Sequence, residues 1–173
     1  MRRDMLVSNQ TVLEQKMKIS EKIQTIFVSK GLTLAFGESC TGGALSTAIT
    51  AVPGASRYFL GSIVAYSNAA KSNLLDVSTT SIEKYGAVSK RVAEEMANGT
   101  LQKFSSDYAV AVTGIAGPSG GTSEKPVGTV WAAIISHSGS IISWQLKVKK
   151  GRQNIINTSV DEILSRLLAL VSS

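Results

Sequence analysis

Ser39 stands in the run Gly37-Glu38-Ser39-Cys40-Thr41-Gly42-Gly43, where a short apolar stretch (Thr33–Phe36) gives way to small residues and then to Ala44–Ala51. A strand that passes through such a turn into a helix offers unpaired N–H groups and the positive end of the helix dipole. Its glycines let a ligand approach the backbone. The arrangement suits an anion or a developing oxyanion, and donors at Thr41, Gly42 and Gly43 are candidates. It also sets the Ser39 hydroxyl at the C-terminal edge of a strand, where open sheets bind ligands. The turn is not the hydrolase elbow Gly-x-Ser-x-Gly, because Gly42 comes one residue too late. A plain small-residue turn, with Ser39 or Thr41 capping the helix, accounts for this segment equally well.

Three further segments hold reactive or ligand-binding residue types. In Tyr66-Ser67-Asn68-Ala69-Ala70-Lys71, Ser67 suits a helix N-cap and brings Lys71 to the first turn or just beyond. There the dipole disfavours an ammonium, and burial would disfavour it further. A lysine with a depressed pKa is a general base, and Tyr66 at the preceding strand end could relay a proton. The plain reading is an exposed lysine beside an edge tyrosine. Thr113-Gly114-Ile115-Ala116-Gly117-Pro118-Ser119-Gly120-Gly121 follows a strand and has the composition of a phosphate-cradling loop. It lacks the Gly-Lys-Ser/Thr of a P-loop and the glycine spacing of a dinucleotide fingerprint. Long Gly-rich loops in compact domains are mostly ligand loops, which favours a binding role over a simple connector. Lys147–Arg152 is the one dense basic stretch, and Arg152 could clamp a phosphate bidentately, or simply be a solvated strand end.

Other chemistries are excluded by what is scarce. The chain has one Cys and one His in 173 residues. An internal disulfide is impossible, and a structural zinc site needs about four such ligands. No metal or other cofactor is therefore expected. His137 falls in a predicted hairpin tip with no acidic neighbour. Cys40, next to Ser39, reads better as a small buried side chain than as a reactive thiol. Ser81-Ile82-Glu83-Lys84 matches Ser-x-x-Lys without its companion motifs, and helix capping explains it. The net charge of +6 with only 6% aromatic residues suits an anion-binding site better than a nucleic-acid surface. With no apolar run long enough to span a bilayer and no signal-like segment after Arg2 and Arg3, a cytoplasmic protein is expected.

The elements that must position these residues interleave. Helical patterning covers about 11–30, with Ile19, Ile23, Ile26 and Phe27 on one face and a stop at Gly31. Strands are predicted at 33–36, 59–66, 107–113, 127–136 and 141–148. The last two are joined by the tight turn Ser136-His137-Ser138-Gly139-Ser140, hence antiparallel. Helices are predicted at 44–51, at 68–75, from a Thr80/Glu83 capping box to Gly86, from Ser89 to Phe104, and to the chain end along Ile156, Val160, Ile163, Leu164, Leu167, Leu168 and Val171. Pro53, Pro118 and Pro126 all fall between elements. The pattern predicts one domain over 1–173, an α/β protein with a three-layer α/β/α sandwich and a mixed, mostly parallel central sheet. Residues 1–10 are expected to be a flexible extension.

Taken together, these segments resemble the CinA C-terminal (competence-damage-inducible) domain family. The resemblance rests on Gly37–Gly43, Val52-Pro53-Gly54-Ala55-Ser56, Val64-Ala65-Tyr66-Ser67-Asn68-Ala69-Ala70-Lys71, Gly86-Ala87-Val88-Ser89, Ala111–Pro118 and Gly121–Val130, in order, from about Gly31 to the last helix. It implies an α/β/α sandwich, commonly a homodimer or higher homo-oligomer. It also implies a nicotinamide mononucleotide amidohydrolase that releases nicotinate mononucleotide and ammonia without a cofactor. By this resemblance Ser39 is the nucleophile, Lys71 and Tyr66 activate it, and Thr113 completes the polar cluster. Arg152 looks like the arginine near the substrate phosphate. Beside the resemblance, Asn68, Gly114 and Gly117 are read as substrate-site residues, the Gly114–Gly117 loop being the alternative to Thr41–Gly43 as the source of oxyanion donors. One position departs: where the family often has a second Arg a helical turn after Arg152, Ile156 and Asn157 stand here. The competing expectations are a nucleotide-binding regulatory module without turnover and, more weakly, salt-sensitive non-specific nucleic-acid binding.

Overall fold

The computed structural model describes residues 18–149 and 151–172. The expected extension over 1–10 and the first part of the helix expected from 11 lie outside the described residues. After α1 (residues 18–30) the chain alternates: β1 (Leu34–Glu38), α2 (Ala44–Thr50), β2 (Phe59–Val64), α3 (Asn68–Leu75), α4 (Thr79–Tyr85) and α5 (Lys90–Phe104). β3 (Tyr108–Gly114), the hairpin of β4 (Thr129–Ser136) and β5 (Ile141–Lys147), and α6 (Arg152–Ser172) complete the fold.

The sheet order is β2-β1-β3-β4-β5. β1 pairs in parallel with β2 and β3, and the hairpin adds two antiparallel pairings. Two cores flank the sheet. Alternate residues of β3 divide between them, as a period of two requires: Val110 and Val112 join Ile23, Phe27, Leu45, Ile49, Ile163 and Leu167 on the α1/α2/α6 side. Ala109 and Ala111 face Leu75, Val92, Met96 and Leu101 on the α3/α5 side. Each fully buried Leu, Ile or Phe here contributes about 1.5–3 kcal/mol. The three layers and mixed sheet are those expected. Among the described residues no helix is long and apolar enough to cross a membrane.

Several boundaries differ from expectation for tertiary reasons. β1 runs to Glu38 because both of its neighbours pair with it that far. α4 starts at Thr79 after Ser78, with no side-chain cap, so the predicted Thr80/Glu83 box does not form. Instead Glu95, from α5, accepts the Ser78 N–H at 3.0 Å and the Ser81 hydroxyl at 2.7 Å. In α6 the fully buried residue of the first turn is Ile155, and Ile156 is only partly buried. Arg152 opens α6 rather than preceding it.

From β1 the chain crosses through α2 to β2 on one side. It returns through α3–α5 to β3 on the other side of β1. That reversal opens a crevice at the C-terminal ends of β1 and β3, the switch point where open α/β sheets take ligands.

Candidate active site

Ser39 follows directly on β1 and is 6% exposed. Its N–H donates to Val112 O of β3, which fixes it at the mouth of the crevice. The chain must then turn sharply: Gly42 and Gly43 have φ values of 59° and 100°, which L side chains adopt only with strain. The expected caps of α2 are not used, for its N-cap residue is Gly43 and no side chain there accepts a hydrogen bond. The first turn is held instead by the Glu38 carboxylate, which is fully buried. Its Oε2 accepts from Thr41 Oγ1, Gly43 N and Leu45 N at 2.7, 3.0 and 3.1 Å. Its Oε1 accepts from Ser46 N and Oγ at 3.0 and 2.6 Å, and from Ser62 Oγ at 3.4 Å. A carboxylate at a helix N-terminus is favoured by both the free N–H groups and the dipole.

This corrects one expectation. Gly43 N–H belongs to Glu38, and Gly42 N–H donates to Ser39 O at 3.1 Å, so neither is open to a substrate. Thr41, Gly42 and Gly43 do not line the pocket. Among the described residues the N–H groups of Cys40 and Thr41 donate to no other residue. Glu38→Gln replaces half of the acceptor set by a donor facing N–H groups. The unfolding free energy is expected to fall by about 3 kcal/mol in urea denaturation. A change below about 0.5 kcal/mol, the scale of a surface substitution, would contradict this role.

α3 begins as its sequence predicts: Ser67 Oγ accepts the Ala70 N–H at 3.0 Å. Lys71 sits on the inner face, only 2% exposed. Its Nζ lies 2.9 Å from Ser39 Oγ, 3.2 Å from Ala65 O and 3.4 Å from Tyr66 O. Burial lowers the Lys71 pKa from its ordinary value; the nearby Cys40 thiol opposes this in part.

Tyr66 comes to the same pocket differently from the expected relay. The residue is 58% exposed; its phenol accepts from Arg152 Nη2 at 2.9 Å, while its carbonyl, not its hydroxyl, meets Lys71. Arg152 also donates from Nη1 to Gly117 O at 3.0 Å, joining the opening of α6 to the Gly-rich loop. Thr113 is buried at the end of β3 and donates to Ala87 O at 2.9 Å, fixing the segment before α5. Ser39, Tyr66, Asn68, Lys71, Thr113, Gly114 and Arg152 thus line one pocket of about 180 Å3, with Cys40, Ala87, Val88 and Ala116 completing its wall. Gly117 contributes only its carbonyl, through Arg152. Sequence reasoning missed Glu38 as the anchor of the turn and Ala87–Val88 as wall; their carrier motifs contained these residues without indicating a role.

Cys40 is buried, and desolvation pushes its thiol up to about 12. Iodoacetamide at pH 8 is expected to leave the folded chain unmodified by intact mass and to alkylate it in urea. Equal rates in both states would overturn this placement.

A hydroxyl, a buried amine and a guanidinium rim at the switch point of an α/β/α sandwich define a domain class, and relatives supply its family. The sequence profile of the CinA C-terminal domain matches residues 16–171, and the chain belongs to that family. A CinA-like protein of Desulfotalea psychrophila is 46% identical over 149 residues, 86% of this chain and 36% of the relative. A CinA-like protein of Pseudothermotoga lettingae is 49% identical over 120 residues, 69% of this chain and 30% of the relative. The chain thus spans about a third of the length of these curated relatives. The crystal structure of the competence/damage inducible protein CihA from Agrobacterium tumefaciens superposes with a TM-score of 0.89 at 37% identity, covering 92% of this chain and 96% of that one. A CinA superfamily protein from Escherichia coli gives 0.86 at 32% identity, covering 90% of each.

Proposed function

We propose that this chain hydrolyses the carboxamide of nicotinamide mononucleotide, with Ser39 as nucleophile and Lys71 as its base. The observation that carries this is the 2.9 Å contact between Lys71 Nζ and Ser39 Oγ at the pocket. A neutral amine has two N–H bonds and one lone pair. Ala65 O and Tyr66 O can take the two N–H bonds. The lone pair is then left for the Ser39 O–H, the geometry a general base requires. Because the Tyr66 hydroxyl is engaged by Arg152, proton transfer is assigned directly to Lys71.

Ser39 Oγ attacks the amide carbon while Lys71 takes its proton, and the carbonyl oxygen becomes an oxyanion. The Cys40 N–H, next after the nucleophile, is assigned as its donor. Collapse breaks the C–N bond, and Lys71 returns its proton to the leaving nitrogen, giving ammonia and a Ser39 ester. Water then attacks the ester, losing a proton to Lys71. The C–O bond to Ser39 breaks, Ser39 regains that proton, and the carboxylic acid leaves, releasing its remaining proton to solvent as the carboxylate.

At about 180 Å3 the pocket is smaller than the roughly 300–1,000 Å3 of sites that enclose a whole ligand. It suits the amide-bearing end, with the phosphate outside near exposed Arg152. The family resemblance adds a homo-oligomer to the same reading. The test is ammonia release from the nucleotide by the wild-type chain, with binding followed calorimetrically. Stoichiometric ammonia and nicotinate mononucleotide are expected. Tight binding without turnover would overturn the reading in favour of a regulatory nucleotide-binding module.

A further inference from the structure

We propose that the Gly99–Thr100 step of α5 holds Ser39 and Lys71 at bonding distance, with the Leu75 side chain at the end of α3 reaching toward β1. Gly99, Thr100 and Leu75 are then positioning residues for the amide chemistry proposed above, on which this inference rests. Ser39 and Lys71 are 32 residues apart and belong to separate segments. A 2.9 Å contact between them requires both segments to be fixed against one common body.

On the α3 side, a Cβ added to Gly99 would overlap the Leu75 carbonyl oxygen and lie 2.6 Å from its carbon. Leu75 ends α3 one helical turn after Lys71. The next residue, Asp76, has φ 55° and returns its N–H to Lys71 O, and Val77 N donates to the same oxygen at 3.2 Å. Lys103 of α5 pairs with Asp76 at 2.6 Å. On the β1 side, Gly37 lies two residues before Ser39. A Cβ there would overlap Thr100 Oγ1 and lie 3.3 Å from Leu75 Cδ1. Adjacent residues of α5 therefore each lie against one catalytic segment, and the buried side chain of Leu75, itself of α3, lies close to Gly37 of β1.

Local stability does not account for Gly99. It lies inside a 15-residue helix, where glycine is about 1 kcal/mol less favourable than alanine and no turn or cap uses it. Only the close approach of the Leu75 backbone requires it. A Cβ at this place must push the end of α3 away from α5, and Lys71 moves with it relative to Ser39. A shift of an ångström takes the Nζ–Oγ contact beyond hydrogen-bonding range.

The test compares Gly99→Ala with wild type in the full chain by ammonia release and by labelling of Ser39 with a fluorophosphonate, which needs the activated hydroxyl but no nucleotide. We expect kcat and the labelling rate to fall about 100-fold, with KM within about twofold. If Gly99→Ala does not fold, Leu75→Ala is expected to lower kcat and labelling in the same way, and Leu75→Met to restore both. A folded Gly99→Ala or Leu75→Ala variant with wild-type kcat and labelling rate would overturn the positioning role. Wild-type labelling without ammonia release, its rate still falling in the variants, would sink the amidase reading alone.

Discussion

Ser39→Ala is expected to lower kcat for ammonia release at least about 10^3-fold while leaving the chain folded and able to bind the nucleotide. The hydroxyl is the only nucleophilic oxygen in contact with Lys71 Nζ among the described residues. The neighbouring thiol cannot substitute for it, because burial holds Cys40 protonated up to about pH 12. Removing the hydroxyl takes one small polar atom from a site that is 6% exposed, so loss of fold is not the expected cause of inactivity. Activity and thermal stability, measured together, check the point. A variant releasing ammonia at the wild-type rate would remove Ser39 from the mechanism and direct attention to an attacking water. Substoichiometric trapping of an acyl-enzyme in the wild-type chain, absent in the variant, would support the covalent route.

Lys71→Met has the second large effect, and it shows in both the rate and the pH dependence of stability. Loss of the base is expected to reduce kcat by about 10^2–10^4-fold. In wild type, kcat is expected to fall as pH drops through the Lys71 pKa, which burial sets below the ordinary value of 10.5. Stability follows from the same shift. Between the lowered value and 10.5 the unfolded chain binds a proton that the folded chain does not, so wild-type stability rises with pH across that window. Below the window both states bind it, and the whole cost of burying the ammonium is present. The Lys71→Met variant lacks this pH-dependent contribution, whatever constant penalty follows from the bonds lost at Ala65 O and Tyr66 O. Its stability relative to wild type should therefore decline as pH climbs toward 10.5. Urea unfolding of both proteins at several values from pH 7 to 10.5 measures this. A difference independent of pH would mean that Lys71 titrates normally.

The parts of this molecule that were legible in its sequence are those decided locally. Ser67 and Ser89 cap α3 and α5 as their neighbours dictate, and the short turn at 136–140 makes β4 and β5 a hairpin. Where a distant residue decides, the reading slipped. The start of α4 depends on Glu95, 17 residues beyond Ser78. The cap of α2 is Glu38, a residue that closes a strand and reaches forward over the turn, so Ser39 and Thr41 looked like better candidates. The meeting of Ser39 and Lys71 belongs to the topology. No spacing within either segment encodes it, and only the ordered set of family motifs pointed to it. Tyr66 lines the pocket, but its hydroxyl is engaged by Arg152 and only its carbonyl meets Lys71, contacts that no spacing in its own segment encodes.

Glu38 has one more consequence. In phosphate-cradling turns the opening of a helix after the first strand is left vacant for a ligand's negative charge. Here the chain fills that position from within, and the carboxylate remains beneath the floor of the crevice. A nucleotide entering phosphate-first would meet like charge at the deep end, whereas an uncharged group would not. For the proposed substrate this favours one polarity of entry: the amide-bearing ring, a pyridinium that the buried carboxylate does not repel, goes inward, and the phosphate stays where salt can screen it.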